Sequence, residues 1–146
     1  MKLATSIILL TTLLQVTNPL KLNTHNSADT LNENERLDSS SQKYFAILQG
    51  DGNFVIYSTG STNGRGKDHR IWSTNTMGKG TTPRKVVMQK DGNLVLYDAT
   101  NSPKWASNTN GRGAQPYNLI MQDDGNLVIY AQGNKPVWAS NTMGKK

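Results

Sequence analysis

Apolar and polar residues alternate with a period of two through most of the chain after residue 28, in runs of four to six positions broken by Gly, Asn, Asp and Pro. That is the signature of short, half-buried strands joined by tight turns. The segment "KVVMQKDGNLVLYDA" at 85–99 is typical: a strand, an Asp-Gly turn, and a strand returning. The alternation sets Leu94 and Leu96 on one face, with Asn93, Val95 and Tyr97 on the other. Gln89 joins the second face if the hairpin pairs in register. The same phrase occurs three times, as "QGDGNFVIY" at 49–57, "QKDGNLVLY" at 89–97 and "QDDGNLVIY" at 122–130. Phe54, Ile56, Leu127 and Ile129 match the two leucines as core.

A second phrase trails each of these, "WSTNTMGKG", "WASNTNGRG" and "WASNTMGKK". It opens on Trp72, Trp105 and Trp138, spaced 33 apart. From Gln49 to Trp72 is 23 residues, against 16 in the other two repeats. The excess falls in the Gly- and Ser-rich stretch 58–70, which reads as a lengthened hairpin loop. Each repeat is expected to supply about four short strands. The segment 28–37 is expected to open the first repeat. A lone hairpin cannot bury its apolar face, but three around an axis can, with the tryptophans filling the shared centre. Ahead of the repeats, an apolar run from Leu3 to Val16 follows Lys2 and is stopped by Asn18-Pro19. It is short for a membrane span and suits a secretory signal. Residues 1–19 are therefore read as a signal peptide, 20–27 as a linker and 28–146 as one domain, and the expected location is secreted.

The 146 residues are enough for one modest core. There is no cysteine, which removes disulfides, thiolate metal sites and cysteine nucleophiles. The net charge of +6 is scattered, with no run of like charge beyond two residues, so a solvated surface is preferred over a nucleic-acid stripe. His25 and His69 occupy no common position in the repeats, so they build no triplicated metal or catalytic site. No nucleophile sits beside a base. The outward row of each repeat, its Gln, Asp, Asn, Val and Tyr, also lacks the second carboxylate that glycoside hydrolysis ordinarily requires. No enzyme, cofactor or metal is expected.

The second face of each repeat carries amides, a carboxylate, a phenol and a valine. Amides and phenol both donate and accept, and ionised Asp accepts. Neighbouring sugar hydroxyls need that mixture, and Val suits ring C–H groups. A turn alone accounts for Asp, Gly and Asn, and strand propensity for Val and Tyr. Three copies that also keep Gln two before Asp and Tyr four after Asn exceed what a turn requires.

On the three Q-x-D-x-N-x-V-x-Y motifs and the three W-[AS]-[ST]-N-T phrases, the chain resembles the bulb-type (monocot mannose-binding) lectin family over roughly 28–146. The resemblance implies an all-β fold, β-prism II: three antiparallel four-stranded sheets with pseudo-threefold symmetry and stacked central tryptophans. It implies mannose sites without metal at Gln49, Asp51, Asn53, Val55 and Tyr57, at Gln89, Asp91, Asn93, Val95 and Tyr97, and at Gln122, Asp124, Asn126, Val128 and Tyr130. Gln, Asp and Asn would bond the sugar near its 2-hydroxyl, Tyr would reach the 4-hydroxyl, and Val would meet ring carbons. Partners implied are mannose-containing glycans and glycoproteins, with no nucleic acid and no membrane insertion, in a homodimer or homotetramer. The chain departs from many plant members in having no disulfide, and its 58–70 loop lies where it could cover the first site. A defence or recognition role follows from the family. Two competing roles are an intracellular adaptor that uses the same fold on vesicle glycans or cytoskeleton, and a bacteriocin-like lectin.

Overall fold

The computed structural model describes residues 21–24, 28–60 and 67–146. The signal-peptide reading of 1–19, His25 and most of the 58–70 excess lie outside the described residues. The N-terminal part holds three short strands, β1 (Leu22–Asn23), β2 (Asp29–Asn32) and β3 (Arg36–Asp38). The repeats follow: β4 (Tyr44–Leu48), β5 (Phe54–Ser58) and β6 (His69–Ser73); β7 (Lys85–Met88), β8 (Leu94–Tyr97) and β9 (Pro103–Ala106); β10 (Asn118–Met121), β11 (Leu127–Ala131) and β12 (Lys135–Ala139). A single 3₁₀ turn, Gln132–Asn134, is the only helical piece among the described residues.

Three antiparallel four-stranded sheets result, ordered β3-β4-β5-β6, β2-β7-β8-β9 and β1-β10-β11-β12. This is the expected prism, with one correction to how it is assembled. Each repeat contributes three strands rather than four, and the fourth strand of every sheet comes from the N-terminal segment. The 28–37 stretch is not one opening strand. β2 pairs with β7 of the second repeat and β3 with β4 of the first. The 20–27 linker reading is corrected too, since Leu22 and Asn23 pair with Leu119 and Asn118. Leu22 is fully buried there, so its apolar side chain anchors a strand too short to announce itself by alternation.

Leu31 and Leu37 do the same for the other two sheets. They join the predicted core residues Phe54, Ile56, Leu94, Leu96, Leu127 and Ile129, all fully buried, in one cluster on the prism axis. Trp72, Trp105 and Trp138 pack against that cluster as a triangle with centroids 5.7–5.9 Å apart. Their planes meet at 73–81°, so they sit edge to face rather than stacked. That arrangement aims the positive edge of each ring at the negative face of the next.

The sheets are also locked in a cycle through the motif glycines. Gly92 has φ +88° and faces the ring of Tyr117 in the third repeat; Gly125 has φ +89° and faces Tyr44 in the first. At the remaining junction Gly52 faces Arg84 instead of a tyrosine. The Arg84 guanidinium is buried but fully engaged, with Glu33 Oε1 at 3.0 Å and the carbonyls of Lys79 and Gly80 at 2.9 and 2.7 Å. Burial of a charge is tolerable when it is paired and hydrogen-bonded in this way.

The turn after β8 is organised by Asp98, which accepts from the Thr100 hydroxyl at 2.7 Å, from the Thr100 and Ser102 amides, and from Lys104 Nζ at 3.0 Å. The Thr100 hydroxyl above all, then Lys104 and the Ser102 and Thr81 amides, hold its carboxyl far below the usual carboxylate range despite desolvation. A carboxylate depressed in the folded state adds stability that is complete above its unfolded pKa and is lost as pH falls toward the folded value. Asp98→Asn should therefore lower the urea midpoint at pH 7, and the gap from wild type should narrow progressively below about pH 4. An equal gap at neutral and acidic pH would contradict this account.

Candidate functional site

Each motif begins as a three-residue hairpin loop. In the second repeat the Gln89 amide bonds the Asn93 carbonyl at 2.9 Å, and the Gly92 amide bonds the Gln89 carbonyl at 3.0 Å. Only a residue that tolerates positive φ closes such a loop cheaply, and glycine occupies that place in all three copies. The Asp91 Oδ1 accepts from the Asn93 amide at 2.9 Å, as do Asp51 and Asp124 for Asn53 and Asn126. That bond fixes the carboxylate and uses one of its two oxygens.

The register sets Gln89 on the face of Tyr97, as anticipated, and the two side chains meet along it. The Gln89 Nε2 donates to the Tyr97 hydroxyl at 2.7 Å, with 3.0 Å for Gln49–Tyr57 and 2.6 Å for Gln122–Tyr130. A β-bulge precedes each tyrosine, between Ile56 and Tyr57, Leu96 and Tyr97, and Ile129 and Tyr130. Bulges re-aim the side chain that follows them, and here the re-aimed side chain is the phenol that meets the glutamine. The tyrosine proton is left to donate and the glutamine Oε1 to accept.

Two parts of the expected open row differ in the structure. Val55, Val95 and Val128 are buried, lying between Ile47 and Ser73, Val87 and Ala106, and Ile120 and Ala139 in the neighbouring strands. They form a floor rather than a rim. Asn53 and Asn126 are buried as well, and Asn93 is half-buried. Their Oδ1 atoms point into the fold.

The residues that hold those Oδ1 atoms went unassigned in the sequence reading, although their signal was present: they are the threonines and serines of the trailing phrase. Asn93 Oδ1 receives the Thr109 amide at 3.3 Å and lies 3.1 Å from the Ser107 hydroxyl. Thr76 with Thr74 treats Asn53 alike, and Thr142 with Ser140 treats Asn126 alike. The Thr109 hydroxyl donates to the Gly92 carbonyl at 2.7 Å, and the Gly111 amide to the Asp91 carbonyl at 2.7 Å. Asn75, Asn108 and Asn141 take left-handed φ of 56–57°, which turns the chain back onto the motif loop. Asparagine is the non-glycine residue best suited to that conformation.

Every motif residue thus divides its atoms between fold and solvent. Among the described residues, Asp51, Asp91 and Asp124 keep Oδ2 without a protein partner, and Asn53, Asn93 and Asn126 keep Nδ2. Glutamine keeps Oε1 and tyrosine its proton. The result is a fixed set of acceptors and donors over an apolar floor, repeated three times. None of the three contains a nucleophile–base pair. Among the described residues no group of His, Asp or Glu is arranged to hold a metal ion. A cleft of about 540 Å³ lies elsewhere, against Lys43, Tyr44, His69 and Lys146, and none of the motif residues lines it.

The fold has solved counterparts. The chain is 36% identical to a monomeric monocot mannose-binding lectin of Gastrodia elata, with a TM-score of 0.68 over 84% of this chain and 97% of that one. It is 35% identical to the mannose-specific agglutinin of snowdrop (Galanthus nivalis) bulbs, solved with methyl-α-D-mannoside, at a TM-score of 0.63 over 86% and 97% of the two chains. A lectin of Marasmius oreades aligns at 33% identity and a TM-score of 0.70, over 88% and 95%. No protein-family model and no curated sequence matches the chain.

Proposed function

The chain belongs to the bulb-type, monocot mannose-binding lectin family, and from that premise we propose that it binds α-D-mannose and mannose-containing glycans through up to three metal-independent sites. It is a carbohydrate-binding lectin, and its structural relatives are lectins rather than enzymes.

The observation that carries the mannose reading is the threefold recurrence of one free-atom set. Asp Oδ2, Asn Nδ2, Gln Oε1 and the Tyr proton stand over Val in each repeat, and each is fixed by a bond from its partner atom. Preorganised groups of this kind lose little entropy on binding. The family resemblance supports the assignments by hydroxyl: the first three groups near the 2-hydroxyl, Tyr at the 4-hydroxyl, Val against the ring. One shallow site binds weakly, and several sites on one glycan array raise avidity by about 10²–10⁴ where geometry permits. Pairing of subunits would extend that gain. A defence or recognition role, exercised outside the cell after removal of residues 1–19, fits such an avidity-driven binder. N-terminal sequencing of the exported protein tests the last point, since a retained Met1 would remove it.

A glycan array tests the mannose reading. Terminal α-mannosides should be retained, β-galactosides should not, and a chelator should leave the signal unchanged. Equal retention of galactosides, or a signal lost with the chelator, would sink it.

A further inference from the structure

Outside their motifs the three sheets are not alike. The outward face of the first sheet runs by register from Ser73 through Val55 and Tyr57 to Ile47 and Phe45, and on to Arg36 and Asp38 of the edge strand. The Phe45 ring stacks on Tyr57 with centroids 5.3 Å apart and planes at 21°. The Arg36 guanidinium lies 4.7 Å above the Phe45 ring. Arg36 also grips Asp38 at two points, Nη2 to Oδ1 at 2.9 Å and Nε to Oδ2 at 3.2 Å. The pair stays open to solvent, with side chains 51% and 31% exposed. At the matching places the second sheet has Thr30, Asn32 and Lys85, and the third has Asn23 and Asn118.

We propose that the first sheet carries a second sugar subsite beside its motif, formed by the Arg36–Asp38 pair and the half-buried Ile47, and that it takes the neighbouring hexose of a linked oligomannoside. The inference rests on the mannose reading above, which supplies the occupant of the motif itself. Neighbouring strands lie ~4.8 Å apart, so each strand away from Val55 advances the face by about the width of one pyranose ring. A sugar over Val55 and Tyr57 would place its linked neighbour over Ile47, against Arg36 and Asp38.

The chemistry of the pair suits a neutral sugar. Two of the five guanidinium N–H donors go to Asp38, and the others stay available; each Asp38 oxygen keeps a lone pair. Donors and acceptors therefore stand side by side with no net charge, as a vicinal diol requires, and an anion would gain little. Two bonds to Asp38 and the ring of Phe45 hold the guanidinium in place, so its rotamer entropy is spent before any ligand arrives.

The test uses a chain in which Asp91→Asn and Asp124→Asn disable the second and third motifs. Calorimetric titration compares methyl α-D-mannoside with the α1,2-, α1,3- and α1,6-linked methyl mannobiosides. At least one disaccharide should bind about tenfold more tightly, the yield of one charge-assisted hydrogen bond. Arg36→Ala and Arg36→Lys should both cancel that gain while leaving the monosaccharide Kd in place, which also shows that the sheet is folded. Three disaccharides no tighter than the monosaccharide, or a gain that survives Arg36→Ala, would overturn the subsite alone. A disabled-motif chain that no longer binds methyl α-D-mannoside, beside a wild type that does, would overturn it as well. Failure of wild type to bind any mannoside would bring down the mannose reading and the subsite with it.

Discussion

Replacing Asp51, Asp91 and Asp124 together by asparagine is expected to leave the fold intact and to remove measurable mannoside binding. The reason lies in how each carboxylate is used. Its Oδ1 accepts the amide of the motif asparagine at 2.9 Å in all three repeats, and an asparagine Oδ1 can accept the same bond. Asp51 and Asp91 are exposed and Asp124 half-exposed, so no buried charge is lost. What changes is Oδ2, which becomes an amide donor where a sugar hydroxyl would have found an ionised acceptor. A hydrogen bond to a charged group contributes about 1.5–3 kcal/mol, which is roughly 10–100-fold in Kd per site. Losing it at every site also collapses the avidity that multiplies them. Titration with methyl α-D-mannoside and a thermal melt read the two halves of the expectation. Unchanged affinity would show that the carboxylates serve only the turn.

The largest structural effect is expected from Gly92→Ala. A Cβ there would stand 2.6 Å from Tyr117 Cζ, and the backbone has φ +88°. A side chain at that φ costs about 1–2 kcal/mol, and forcing the tyrosine ring aside adds about 1–3 kcal/mol. Domains of this size are stable by only about 5–15 kcal/mol, so the melting temperature should fall steeply. Gly111→Ala separates the two causes: its φ is +73°, with nothing within 4 Å of the new methyl. It should show the smaller backbone cost alone. Similar losses at both positions would mean that the contact between the second and third repeats carries no load.

The repeats' own hairpins were legible because their signal is local. An Asp-Gly turn flanked by alternating residues needs no tertiary context, and Leu94 and Leu96 went to the core as their alternation required. The placing of Gln89 on the same face as Tyr97 followed from the same register, whereas the bond between their side chains did not, since Lys85 is the residue opposite Tyr97. The edge strands were not legible. Leu22–Asn23 is two residues long and Arg36–Asp38 three, too short for a period to show, and they extend only because β10 and β4 offer open edges. The burial of Val95 belongs to the same class, since it depends on Val87 and Ala106 across the strands. The role of Thr76, Thr109 and Thr142 lies between: the triplication of the phrase was visible, but which oxygen each residue would grip depends on two left-handed turns in space.

The edge strands bear on the order in which the protein can be made. The first sheet needs only residues 36–73 and can close early in synthesis. The strand at 29–32 must wait for Lys85–Met88, and the strand at 22–23 for Asn118–Met121, before either has its place. The earliest-made segment is thus the last to be fully used, and its partners lie almost a hundred residues downstream. Contacts at such separation slow folding, and unpaired sheet edges recruit other chains in the interval. A nascent chain held before its third repeat would carry Leu22 and its strand without the β10 partner, which makes the ribosome-bound intermediate, rather than the finished prism, the state most in need of a chaperone.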